Sequence, residues 1–159
     1  MNTPQFPVPI GERCFEDYVP GVVYEYGPVR LTAAEIIDFA QKYDPQDIHT
    51  NPQKAASGPF GGLIASGWHT VSVVMRLYVE NYISRAATLA PPAVDELRWL
   101  KPVRPGDSLR IRAFVLESER SLLNPRLGVV RVMIDVSNRH NEIAMTMKIA
   151  NFLRKRHPQ

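Results

Sequence analysis

Polar and apolar positions divide this chain into a helical first half and a stranded second half. Between residues 62 and 84, Ile64, Trp68, Val71, Met75, Tyr78 and Tyr82 recur at alternating spacings of four and three. That period lays them along one face of a helix running from about Gly62 to Ser84. Leu63, Val74 and Val79 widen the stripe until the helix is apolar on most sides. Such a helix belongs in an interior, with other structure wrapped around it. Downstream the period changes to two. Leu109, Ile111, Ala113 and Val115 alternate with Ser108, Arg110 and Arg112. Val130, Val132, Ile134 and Val136 alternate with Arg131, Met133 and Asp135, and Ile143, Met145, Met147 and Ile149 repeat the pattern around Thr146 and Lys148. Alternation puts one face of each strand on a core. Asp95 to Lys101 reads as a further strand, and turn residues fill 102–107 and 124–128. These connections are too short for helical crossovers, so the strands run antiparallel.

Upstream, the β-branched and aromatic run Val22 to Tyr26 reads as a first strand, punctuated by Gly27-Pro28. Thr32 followed by Glu35 has the form of a capping box. The helix it opens runs through Ile36, Ile37, Phe39 and Ala40 to about Tyr43. Pro45 ends that helix and pushes Asp44 out of it, so residues 44–51 read as a loop. Residues 1–20, broken by Pro4, Pro7 and Pro9, read as an extended arm; 21–154 form one domain, and 155–159 a basic, solvated tail. The fold class is α+β, one long central helix packed on a curved antiparallel sheet.

Composition narrows the choices. A chain of 159 residues fits one domain. At that size roughly 70% of the unfolded surface is buried, enough for a core without covalent staples. The net charge of +3, from 19 basic and 16 acidic residues, is too slight to imply nucleic acid. No basic motif with interleaved aromatics is present either. Cys14 is the only cysteine, which excludes an intrachain disulfide and a cysteine metal cluster and fits a reducing cytoplasm. No stretch approaches the roughly 18 apolar residues of a membrane span. The expectation is a cytoplasmic protein with neither a membrane nor a nucleic acid as partner.

Chemistry concentrates in Tyr43-Asp44-Pro45-Gln46-Asp47-Ile48-His49-Thr50-Asn51 and in the glycine-rich run Ser57 to Gly67. Asp44 and His49 set a carboxylate and an imidazole five positions apart, an acid/base pair in a loop. Gly61 and Gly62 read as the opening of the long helix, where backbone N–H groups face a polarised carbonyl. Ser66, one turn after Gly62, is placed to hydrogen-bond Asp44. On the residues alone, Asp44-Pro45 also reads as an ordinary turn, and the glycines as close packing positions. Asp44, Asp47 and His49 lack a second histidine nearby, so no metal and no cofactor is expected. His69, His140 and His157 have no acidic neighbours and read as surface or interface residues. Trp68, Tyr78 and Tyr82 read as core or interface aromatics.

The order of elements and the Asp-x-x-x-x-His loop resemble the MaoC-like, R-specific enoyl-CoA hydratases and dehydratases, which have the hot-dog fold. The resemblance runs from about Val22 to Leu153. It includes the run Gly61 to Ser66 and the strand and turn Leu97 to Asp107. The family's loop is commonly Gly-Asp-x-Asn-Pro-aliphatic-His. Asp44, Ile48 and His49 match it, while Tyr43, Gln46 and Asp47 replace the glycine, asparagine and proline. A histidine often precedes the family's helix-opening glycine; with the helix opening at Gly61, that position is Phe60. The resemblance implies an acyl-CoA thioester substrate, catalysis by Asp44 and His49, and an oxyanion hole at Gly61 and Gly62. It also implies a homodimer or higher homo-oligomer. The cations Arg98, Lys101, Arg104 and Lys148 are candidates for coenzyme A phosphates. A hot-dog thioesterase and a non-catalytic acyl-thioester-binding protein remain the competing readings.

Overall fold

The computed structural model describes residues 4–157, apart from the side chains of residues 90–92. Its elements run β1 (Val23–Arg30), α1 (Ala33–Tyr43), α2 (Asp47–Thr50), α3 (Pro52–Ala56), α4 (Gly67–Asn81), β2 (Thr88–Trp99), β3 (Ser108–Arg120), β4 (Leu127–Ser137) and β5 (Ile143–Arg154). The strands form one five-stranded sheet in the order β1-β3-β4-β5-β2, every pair antiparallel. Helix α4 crosses the concave face of this sheet. Its Val74, Tyr78 and Tyr82 meet Leu109, Ile111, Ile134, Met145, Met147 and Ile149, all fully buried. The architecture is a single α+β hot-dog domain. Among the described residues no helix is long and apolar enough to cross a membrane.

The cap of α1 forms from both sides. The Glu35 N–H donates to Thr32 Oγ1 at 3.2 Å, and the Thr32 N–H donates to Glu35 Oε2 at 2.8 Å. The helix ends at Tyr43, and Asp44 takes the C-cap position with φ −152° and ψ 68°.

Several boundaries differ from the sequence reading. Strand β1 continues past Gly27-Pro28, with a register shift between Tyr26 and Val29 absorbing the break. Only glycine fits there, because a Cβ on Gly27 would lie 2.8 Å from the Leu109 carbonyl oxygen. Strand β2 begins at Thr88 rather than Asp95, and three register shifts interrupt the alternation that would have revealed it. Residues 47–50 are a short helix, not loop. The long helix starts at Gly67 instead of Gly62 and ends at Asn81. It is not wrapped on all sides: Trp68 is 57% exposed, and Ser72 and Arg76 face outward.

The chain ends pack at the pole opposite the α4 N-terminus. Arg13 donates to the carbonyls of Asn81 and Tyr82 at 2.7 and 2.8 Å, closing the C-terminal end of α4, and its guanidinium lies over Phe6. Phe6 in turn stacks on Tyr24. Of the basic end beyond β5, Arg156 and His157 are exposed, and residues 158–159 lie outside the described residues. Lys155 is buried and donates to the Pro125 carbonyl, and Arg156 pairs with Asp17.

Candidate active site

Asp44, His49 and Ser66 come from three separate elements and meet at one carboxylate oxygen. Asp44 leaves the end of α1, where Pro45 turns the chain away. Gln46 caps α2, which carries His49 inward. Ser66 is the N-cap of α4, its hydroxyl accepting from the Trp68 N–H at 3.3 Å. The same hydroxyl donates to Asp44 Oδ2 at 2.6 Å, while Gln46 Nε2 donates to Asp44 Oδ1 at 2.7 Å. These two donors, Ser66 first, hold the Asp44 carboxyl below its usual range, against a smaller opposing effect of burial. Asp44 is therefore ionised at neutral pH.

His49 is buried, and its Nδ1 lies 2.8 Å from the Ile64 carbonyl oxygen. A carbonyl only accepts, so Nδ1 carries the proton and donates, and in the neutral ring Nε2 is the bare nitrogen. Nε2 faces Asp44 Oδ2 at 3.4 Å. The ring is pinned by a backbone strap. Ile64 donates its N–H back to the Ile48 carbonyl at 3.1 Å, and the Ala65 N–H donates to the Val103 carbonyl at 2.8 Å. Two proton acceptors are thus held facing one another at the edge of a cleft of about 440 Å³. The cleft is walled by Ile48, Ile64, Trp68, Trp99, Leu100 and Val103 and reaches the first residue of α4, Gly67. At the first helical position no intrahelical acceptor exists for the Gly67 N–H, and the helix dipole adds to its pull on an oxygen.

The structure brings Asp44, His49 and Ser66 together but separates Gly61 and Gly62 from them. The Gly61 N–H is spent on the Gly58 carbonyl at 3.1 Å. Both glycines have positive φ, 63° and 154°, in a turn outside the lining of the cleft. Their role is to reverse the chain beside Arg104, which donates to the Phe60 carbonyl. The helix-opening glycine is Gly67, six residues later, and the residue before it is Ser66, not Phe60. The sequence signal was a serine before the periodic run, the usual N-cap; the glycine pair upstream obscured it. Gln46 and Trp99 were not foreseen at the site. His69 is buried against Phe39, ring centroids 4.6 Å apart, rather than on the surface. Among the cations proposed for phosphates, Lys101 lines the cleft and pairs with Glu142, and Lys148 pairs with Glu96. Among the described residues no group of three or more His, Cys, Asp or Glu side chains is placed to hold a metal ion.

A family model described as a MaoC-like domain matches residues 18–138. The chain belongs to the MaoC-like domain family. A MaoC-like dehydratase from Rhodospirillum rubrum is 32% identical and superposes with a TM-score of 0.82, covering 91% of this chain and 99% of that one. The R-hydratase PhaJ1 from Pseudomonas aeruginosa, 20% identical with a TM-score of 0.70 over 91% of this chain and 86% of its own, shares the fold. Among curated relatives, 3-hydroxyacyl-thioester dehydratase Z of Mycobacterium tuberculosis is 36% identical over 84 residues, which is 52% of this chain and 56% of that protein. The uncharacterized protein YdeM of Bacillus subtilis is 28% identical over 123 residues, 77% of this chain and 86% of that protein. In this MaoC-like chain, then, the Asp44–His49–Ser66 constellation lies at the start of the central helix of a hot-dog domain.

Proposed function

We propose that this protein is a hydratase/dehydratase interconverting 2-enoyl and 3-hydroxyacyl thioesters of coenzyme A. The observation that carries the reading is the facing pair Asp44 Oδ2 and His49 Nε2, 3.4 Å apart beside the free N–H of Gly67 at a helix start. The relatives named as (R)-hydratase and 3-hydroxyacyl-thioester dehydratase support it.

A water molecule at the edge of the cleft within reach of both groups donates a hydrogen to the pair. In hydration the water oxygen bonds to Cβ. The C=C electron pair moves toward Cα and the thioester oxygen, and the Asp44/His49 pair takes a proton from the water. The electrons then return to Cα, which collects that proton from the pair. One molecule of water is added and no proton is left over; elimination runs the same steps in reverse. Both groups reach the same water, so removal and delivery of the proton belong to the pair. Each such role contributes roughly 10²–10⁴-fold. The Gly67 N–H stabilises the oxygen while it carries charge.

The test is loss of the conjugated enoyl-thioester absorbance with crotonyl-CoA and longer or branched homologues, for wild type, Asp44→Asn and His49→Ala. Turnover by the wild type that is lost in both variants is expected. Full activity of Asp44→Asn would sink the mechanism. Release of free thiol without loss of conjugation would turn the reading to a thioesterase, although α4 carries no acid before Glu80. The reading includes a homodimer: β2 is a free sheet edge, and Leu89, Val94, Trp99 and Leu100 stand exposed along it. A strictly monomeric mass by light scattering would count against that assembly.

A further inference from the structure

The start of α4 is crowded from one direction by Trp99, the last residue of β2. A Cβ on Gly67 would lie 2.5 Å from Trp99 Cε2, 2.6 Å from Nε1 and 3.0 Å from Cδ1. Those distances set the Cβ above the five-membered ring, so the face of the indole's pyrrole ring rests on Gly67 and leaves the in-plane Nε1–H clear of that contact. Any side chain at 67 would drive it away. Trp68 meets Trp99 edge-on, with ring centroids 5.3 Å apart at 77°, and steadies it from the other side. Trp99 is half-exposed and lines the cleft with Asp44, His49 and Gly67. Among the described residues no side-chain hydrogen bond engages its Nε1–H. The Gly67 N–H beside it has no intrahelical acceptor either.

We propose that Trp99 is a second oxyanion donor, its Nε1–H binding the thioester oxygen together with the Gly67 N–H. The assignment rests on the hydratase reading above. A thioester oxygen that takes up negative charge presents more than one lone pair, and one backbone donor satisfies only part of it. Gly67 packing on one side and Trp68 on the other hold the indole before substrate arrives, so the donor need not reorganise during the reaction. It also explains why a glycine stands at 67: a Cβ there would displace a catalytic group, not merely a filler.

Trp99→Phe keeps an aromatic ring against Gly67 and removes only the donor. Two readouts are taken on wild type and variant: steady-state hydration of crotonyl-CoA, and the vibrational frequency of a 13C-labelled thioester carbonyl in bound butyryl-CoA, which cannot be hydrated. A fall in kcat of about 10²-fold is expected, the size typical of losing one such donor. KM should change by no more than about twofold, as for an interaction made mainly in the transition state. The bound carbonyl of the variant should move back toward its frequency in free ligand. An unchanged kcat and an unchanged carbonyl frequency in Trp99→Phe would overturn the assignment while leaving the hydratase reading intact. Should wild type hydrate no enoyl thioester yet still shift the butyryl carbonyl in a Trp99-dependent way, the hydratase reading falls and the donor stands. A wild-type carbonyl that is not shifted at all refutes the donor.

Discussion

Replacing Ser66 by Ala removes two hydrogen bonds at once, and they can be separated. The first is the N-cap contact to the Trp68 N–H, whose loss costs about 1 kcal/mol. The second is the 2.6 Å donation to Asp44 Oδ2. A hydrogen bond to a charged acceptor contributes about 1.5–3 kcal/mol. Its loss lets the Asp44 pKa rise back toward its ordinary value, because Ser66 is the largest cause of the lowering. The sign follows from the direction of the shift. The Asp44 carboxyl sits below its unfolded value of 3.8, so its stabilising share is present above that value and is lost as pH falls through the folded pKa. In Ser66→Ala the folded pKa climbs back, and that share shrinks. Urea unfolding at pH 7 should therefore show a loss of about 2–4 kcal/mol, cap and carboxylate bond together. In an Asp44→Asn background the same substitution should cost little more than the cap. The acid limb of kcat/KM for enoyl-thioester hydration should also move to higher pH. An acid limb that stays in place while stability drops would refute the argument, because Ser66 would then serve only the helix.

Gln46→Ala should raise the acid limb in the same direction, by less than Ser66→Ala, since the Gln46 amide is exposed and holds the other oxygen; pH profiles of the double variant should show the two shifts adding. Arg13→Ala uncovers the Asn81 and Tyr82 carbonyls and strips the cation from Phe6, and a loss of about 1–3 kcal/mol by urea unfolding is expected with crotonyl-CoA turnover unchanged. Burial lowers the His69 pKa below its ordinary 6.5, opposed only in part by the charge of Glu35. The unfolded chain therefore binds the proton first, and stability should decline as pH falls below 6.5 toward the folded value. His69→Phe, which also removes an unpartnered buried Nδ1, should abolish that part of the slope in urea titrations.

The elements that the sequence made legible are those in which one physical signal dominated. Strands β3, β4 and β5 have one face on the core, so burial alternates along them just as hydropathy does. The cap of α1 needs only Thr32 and Glu35 at the right spacing. Strand β2 hid because its bulges break period two. Helix α2 is four residues long, too short for any period to show. The start of α4 was misplaced for a subtler reason. Leu63, Ile64 and Ala65 are buried in an extended segment and happen to continue the apolar series of the helix behind them. Periodicity alone cannot tell the two apart. The Asp44–Ser66 contact was foreseen, but on the wrong ground: Ser66 reaches the carboxylate as an N-cap in front of the helix, not as a residue one turn inside it. Gly61 and Gly62 were read for their freedom to approach a ligand, and the structure uses that freedom for a turn.

The extended form of residues 63–66 is what makes the site possible. Within four residues the segment ties Ile64 to both ends of the Ile48-His49 pair, Ala65 to Val103, and Ser66 to Asp44. Were these residues helical from Gly62, the Ile64 carbonyl would accept the Trp68 N–H four residues on. It would no longer be free for His49 Nδ1, and the imidazole would lose the bond that fixes its tautomer. The Trp68 N–H would likewise leave the Ser66 hydroxyl, and the N–H of Gly67 would be spent inside the helix. A later helix start therefore does three things together: it sets the histidine's bare nitrogen toward Asp44, frees the serine side chain to hold the carboxylate, and leaves Gly67 with a donor to offer. Those are the groups on which the proposed acid/base work at a thioester depends, and they follow from where one helix begins.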